Sequence, residues 1–165
     1  MVARFLLLFA LLCCGIVDAD AQKLTYFAQG RAQVTLPDSF VANELNDGTL
    51  RVLFGPAADH RLELTLVNAA ATDDKGKAGE RYVRREAEKK KLKIFESPGK
   101  VVFMEPGGDS QVGDKAYRTA RWQIGLGNAV VLMTLTAPTA PSPDLTLFLS
   151  KRLEGVLASV HAQAE

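Results

Sequence analysis

Few side chains in this sequence can carry covalent or acid–base chemistry. The only histidines are His60 and His161, and no Gly-x-Ser-x-Gly turn presents a nucleophilic serine. A general base needs a positioned partner. None is visible around Asp59-His60, which reads as a solvated turn where a strand begins, and His161 lies near the carboxyl end. Asp73-Asp74 could bind calcium weakly, but no further ligand follows at EF-hand spacing. The pair reads instead as a polar loop whose acids favour a helix amino end, and Gly107-Gly108-Asp109 reads the same way. Gly125-x-Gly127 lacks the third glycine and the strand-to-helix setting of a dinucleotide fingerprint, so it reads as a hairpin turn. No catalytic residue, metal or cofactor is expected.

The sharpest local feature is basic. Arg81, Arg84 and Arg85 precede Lys89, Lys90, Lys91 and Lys93. Clustered charge of this kind steers association with an acidic protein or with anionic lipid headgroups. The plainer reading is a solvated helix face, with cations near the negative end of the helix dipole.

The elements that must position these residues follow from patterning. Arg4 and the apolar run over residues 5–17 read as a secretory signal peptide, broken by Asp18 and Asp20, with cleavage after Ala21. A lipoprotein signal on Cys13 or Cys14 is the second reading, although Leu12 or Cys13 then stands where a lipobox takes Gly, Ala or Ser. Removal of residues 1–21 leaves 165 − 21 = 144 residues, a single domain over 22–165. Both cysteines leave with the signal, so packing alone must stabilise the fold. The remaining charge is 20 − 1 = 19 basic against 19 − 2 = 17 acidic residues, a net of +2. So small an excess argues against nucleic acid as a partner. No later apolar run is long enough to span a membrane.

Alternation predicts strands over residues 31–36, 50–54 and 61–67, the last with Leu62, Leu64 and Leu66 on one face. Residues 79–93 lack that period and carry Glu80/Arg84 and Glu86/Lys90 at i,i+4, predicting a solvated helix whose thin stripe of Val83 and Ala87 rests on a sheet. A strand over 101–104, a Gly-rich loop over 106–114 and a hairpin of 116–124 with 129–136 follow. The second hairpin strand is apolar throughout residues 129–133 and should be central. Ser142 and Pro143 then open a helix whose stripe runs through Leu145, Leu149, Leu153, Val156, Leu157 and Val160, with Trp122 expected in the core or on a sheet face. The expected fold is α+β: an antiparallel sheet of about six strands in β-β-β-α-β-β-β-α order, with helices packed on its faces.

Several of these residues carry a resemblance. A strand ending in Leu36-Pro37-Asp38-Ser39-Phe40, paired strands around Val52 and Leu64, the helix from Gly79, the Gly113-Asp114-Lys115-Ala116-Tyr117-Arg118 start of a long hairpin and the closing helix resemble PsbP/Mog-like α/β/α sandwiches. That group includes DcrB-like bacterial periplasmic proteins. The resemblance implies a non-catalytic accessory, chaperone, adaptor or immunity-like role, with no active site to carry over. The sequence thus predicts a periplasmic or secreted protein that binds another exported protein, with weak membrane-surface contact open to it. A carrier of a small apolar ligand and a hydrolase without a recognisable motif are the alternatives.

Overall fold

In a computed structural model of the chain, the described residues are 21–55, 58–68, 76–139 and 153–162. The expected leader, Asp73-Asp74, and the closing helix as far as residue 152 lie outside them. Among the described residues there are ten strands: β1 (Gln22–Phe27), β2 (Ala32–Pro37), β3 (Val41–Glu44), β4 (Leu50–Phe54), β5 (His60–Asn68), β6 (Ile94–Ser97), β7 (Lys100–Val112), β8 (Lys115–Leu126), β9 (Ala129–Pro138) and β10 (His161–Ala162). Helix α1 spans Ala78–Lys90, and residues 153–159 are helical.

Seven strands form one antiparallel sheet in the order β3-β4-β5-β9-β8-β7-β6, and β1-β2-β10 form a smaller one. All six expected strands are found, and β9 is central between β5 and β8. The count of about six is corrected by β1, β3, β6 and β10, which are short or mix polar and apolar residues without a clear period. The expected loop over 106–114 is largely strand. β7 runs through Pro106, Gly107 and Gly108 to Val112, and an irregularity between Pro106 and Asp109 absorbs those turn-forming residues while pairing with β8 continues.

Alternation divides the large sheet into two faces. On one, Leu50, Val52, Phe54, Leu62, Leu64, Ile124, Val131 and Met133 pack against Phe27, Val34 and Leu36 of the small sheet and against Leu153, Val156 and Val160. On the other, Val83 and Ala87 of α1 meet Val101, Phe103 and Val130, with Leu92 and Ile94 at the margin. The architecture is therefore α1, then the large sheet, then a layer shared by the small sheet and the C-terminal helical residues.

Two glycines allow α1 to lie this close. A Cβ on Gly79 would stand 2.0 Å from the Ala129 carbonyl oxygen, and one on Gly125 would stand 2.8 Å from the Cα of Glu80. The β8–β9 turn also caps the helix. Asn128 Oδ1 accepts from Ala78 N at 3.1 Å, and the Gly127 carbonyl accepts from Gly79 N at 2.8 Å. At its far end Lys91 adopts the left-handed conformation at φ 54°, and Leu92 N donates to the Ala87 carbonyl at 2.9 Å. The helix thus stops at Lys90 rather than at the expected residue 93, and Leu92 folds back onto the apolar cluster.

Candidate interaction surface and buried polar groups

The basic run divides by direction. On a helix whose buried line is Val83 and Ala87, Arg81 and Arg85 fall near the opposite pole, while Arg84 and Lys90 fall on flanks that reach the sheet. Arg84 grips Glu96 of β6 with both guanidinium ends, the second at 3.0 Å. Lys90 pairs with Glu105 of β7, which also accepts from Gln123 Nε2 at 3.3 Å, and its ammonium lies 5.9 Å from the centre of the Phe103 ring. The expected Glu80/Arg84 and Glu86/Lys90 pairs persist as charge interactions, but the hydrogen bonds of these cations go elsewhere. Both cations turn to carboxylates on strands, and Glu86 instead accepts from Lys89 at 2.9 Å, one turn back at i,i+3.

These contacts leave their mark on titration. The Arg84 hydrogen bond holds the Glu96 carboxyl below its ordinary value, and the Lys89 hydrogen bond does the same for Glu86. Arg85 and Lys91 are exposed and make no hydrogen bond or ion pair among the described residues. Lys93 sits over Phe95 at 5.4 Å from the ring centre, and Phe95 is itself 58% exposed at the sheet edge. Arg81, Arg85, Lys89 and Lys91, with the exposed ring of Tyr82, make a mainly cationic surface on α1, whereas Phe95, paired with Val102, turns to the other face of the sheet edge.

Two buried polar groups lie on the opposite face of the large sheet. His60 is 1% exposed, which overturns the solvated-turn reading. Its place in the sequence explains this: it shares the two-residue phase of Leu62, Leu64 and Leu66, so β5 turns it inward. Its Nδ1 is 2.7 Å from Asp59 Oδ1, its ring lies 5.3 Å from that of Phe54, and Phe54 stacks on Phe40 at 4.5 Å. Gly55 at φ 88° closes over the ring, since a Cβ there would stand 2.6 Å from Nδ1. The remaining ring nitrogen, Nε2, is buried without a hydrogen-bond partner. The Asp59–His60 pair has the orientation of a general-base dyad, with the imidazole buried and Asp59 partly exposed.

Lys100, which no local pattern marks, is the second. It is buried, and its ammonium donates to the carbonyls of Leu157 at 3.0 Å and Ala158 at 2.6 Å. It thereby ties β7 to the carboxyl end of the C-terminal helical residues, where the helix dipole is negative. Burial pushes its pKa below the ordinary value. Trp122, partly buried, packs against the main core as expected. His161 lies on β10, paired with Gln33.

Among the described residues no group of His, Cys, Asp and Glu side chains could hold a metal ion, and no helix is long and apolar enough to cross a membrane.

No family model matches the chain, and no curated protein matches its sequence. A crystal structure from Bacteroides thetaiotaomicron is similar at a TM-score of 0.63 and 14% identity, over 87% of this chain and 48% of that one. The present chain therefore spans about half the length of that protein. The crystal structure of the Saccharomyces cerevisiae Ran-binding protein Mog1p is similar at a TM-score of 0.49 and 12% identity, over 87% and 96% of the two chains. The solution structure of cyanobacterial PsbP from Synechocystis gives 0.38 and 12%, over 90% and 96%. The chain shares its α+β fold with the Bacteroides protein, and the solved structures similar to it include a Mog1 and a PsbP, the group its sequence resembles.

Proposed function

We propose that this chain is an exported, non-catalytic binding protein that presents the outer face of α1 and the neighbouring edge of β6 to an acidic protein partner. The observation that carries this reading is the division of labour among the cations. Arg84 and Lys90 are held by Glu96 and Glu105 and fix the helix to the sheet, whereas Arg85 and Lys91 stand exposed and make no hydrogen bond or ion pair among the described residues. An aromatic ring beside cations, here Tyr82 on α1, is the composition that recurs at the centres of protein interfaces. A non-catalytic role is supported by the burial of the His60 ring. Export rests on the leader over residues 1–21 and on a fold that needs no cysteine.

The test captures partners of the exported protein from periplasmic and culture fractions, then measures each purified candidate by calorimetry. The variants are Arg85→Glu/Lys91→Glu, Lys115→Glu at the distal hairpin as a control, and the unaltered chain. An acidic partner bound by the last two and weakened at least tenfold by the double reversal, with affinity falling as salt rises, supports the reading. A partner indifferent to the double reversal removes α1 from the interface, and the absence of any partner removes the binding role.

A further inference from the structure

The edges of the two sheets are not equally protected. β3 and β6 are four residues long and bracketed by charge: Glu44 on one, Lys93 and Glu96 on the other. Short, charged edges of this kind resist pairing with another chain. β1 differs. It is six residues long, contains no proline, and is regular along its whole pairing with β2. Its one charged side chain, Lys23, is drawn to the carbonyl of Phe40 at 2.7 Å. Leu24 and Tyr26 stand 51% and 50% exposed on its outer face.

The direction of its free backbone groups follows from Thr35. The Thr35 N–H donates to Ser159 Oγ at 2.9 Å, and that hydroxyl donates back to the Thr35 carbonyl at 3.2 Å. Ser159 precedes β10, on the side of β2 away from β1. The backbone of Thr35 therefore faces away from β1, which makes Leu24↔Thr35 a non-hydrogen-bonded pair. Gln22, Leu24 and Tyr26 consequently aim their N–H and C=O groups at the open edge. No described residue pairs with that edge.

We propose that β1 is a self-association edge, on which a second copy of this chain pairs its own β1 in antiparallel register about a two-fold axis at Leu24. In that register Leu24 opposes Leu24 of the other copy, and Gln22 opposes Tyr26 twice. Each hydrogen-bonded pair exchanges two N–H···O bonds, so the three pairs supply six. Tyr26 also reaches the opposite Leu24 along the diagonal. The side chains of Gln22, Leu24 and Tyr26 are uncharged, and Lys23, on the other face of β1, is held at the Phe40 carbonyl of its own chain. The product is one continuous sheet, three strands from each protomer, with an isologous interface.

Sedimentation equilibrium of the purified protein from about 1 μM to 1 mM tests this. The protein should pass from monomer to dimer across that range. Leu24→Pro removes only the outward N–H, a position where an edge strand tolerates proline, and should weaken dimerisation about tenfold or more while the circular dichroism spectrum is retained. Leu24→Lys and Leu24→Glu should each be monomeric, because like charges then face one another on the axis, and their equimolar mixture should form the heterodimer. An unaltered chain that stays monomeric at 1 mM overturns the proposal. So does a dimer that survives both charge variants, or a mixture that does not pair.

Discussion

Replacing Lys100 by methionine keeps an unbranched stem of similar length and removes the ammonium. In the native fold that ammonium donates to Leu157 and Ala158 at 3.0 and 2.6 Å. Hydrogen bonds from charged donors contribute about 1.5–3 kcal/mol each, and the removal of a buried charge gives part of that back. The expected net loss is about 2 kcal/mol, or roughly 4–8 °C in melting temperature for a chain of this size. Lys100→Ala should cost more, because the stem packing goes too. Thermal and urea unfolding of the three proteins at neutral pH measure this, and an unchanged Lys100→Met variant would refute the capping role. The pH dependence supplies an independent sign. Burial lowers the folded-state pKa below 10.5, so between that depressed value and 10.5 the unfolded chain binds more protons than the native one. The stability of the unaltered protein relative to Lys100→Met should therefore rise with pH across that window. A relative stability that falls there would contradict burial as the dominant influence on the Lys100 pKa.

Glycine-to-alanine changes inside a helix ordinarily stabilise by about 0.5–1 kcal/mol. Gly79→Ala should do the reverse, since its Cβ would stand 2.0 Å from a backbone oxygen of Ala129; a melting temperature at or above that of the unaltered protein would show that α1 does not sit as described. Acidification should loosen α1 through Glu96. Its folded pKa is depressed below 4.5 by Arg84, so its contribution is full above 4.5 and is lost as pH falls through the depressed value. Glu96→Gln should abolish that part of the acid transition in urea titrations, and an identical pH profile in the variant would count against the pair. Ser159→Ala should cost about 1–2 kcal/mol by equilibrium unfolding, because it leaves the half-buried Thr35 N–H without its acceptor.

How much of this could be read from the sequence depended on the distance over which each cause acts. Strands β2, β4, β5, β8 and β9 were legible because a half-buried strand writes its period of two into consecutive residues. His60 was open to the same reading, since it stands in phase with Leu62 and Leu64, but a titratable residue beside Asp59 suggested a turn more strongly than the phase suggested burial. The strand continuing through Pro106-Gly107-Gly108 was hidden because its residue types are those of a loop, and only pairing with β8 holds them extended. The cations of α1 were visible as a run, yet their fates were not. Glu96 and Glu105 lie 12 and 15 residues from the side chains they hold, beyond the i,i+4 spacing from which helix pairs are inferred. Lys100 is the extreme case: its acceptors are 57 and 58 residues away, and no local pattern marks a lysine destined for burial.

The most direct test of the binding role places a photoreactive residue at Arg85 in the full chain of residues 1–165, with a second at Lys115 as the control. Irradiation of intact cells should join position 85 to one acidic protein and leave position 115 unreacted, and Lys91→Glu in the same chain should diminish the adduct. Equal labelling at both positions, or none at position 85, would contradict an α1 surface built for a partner.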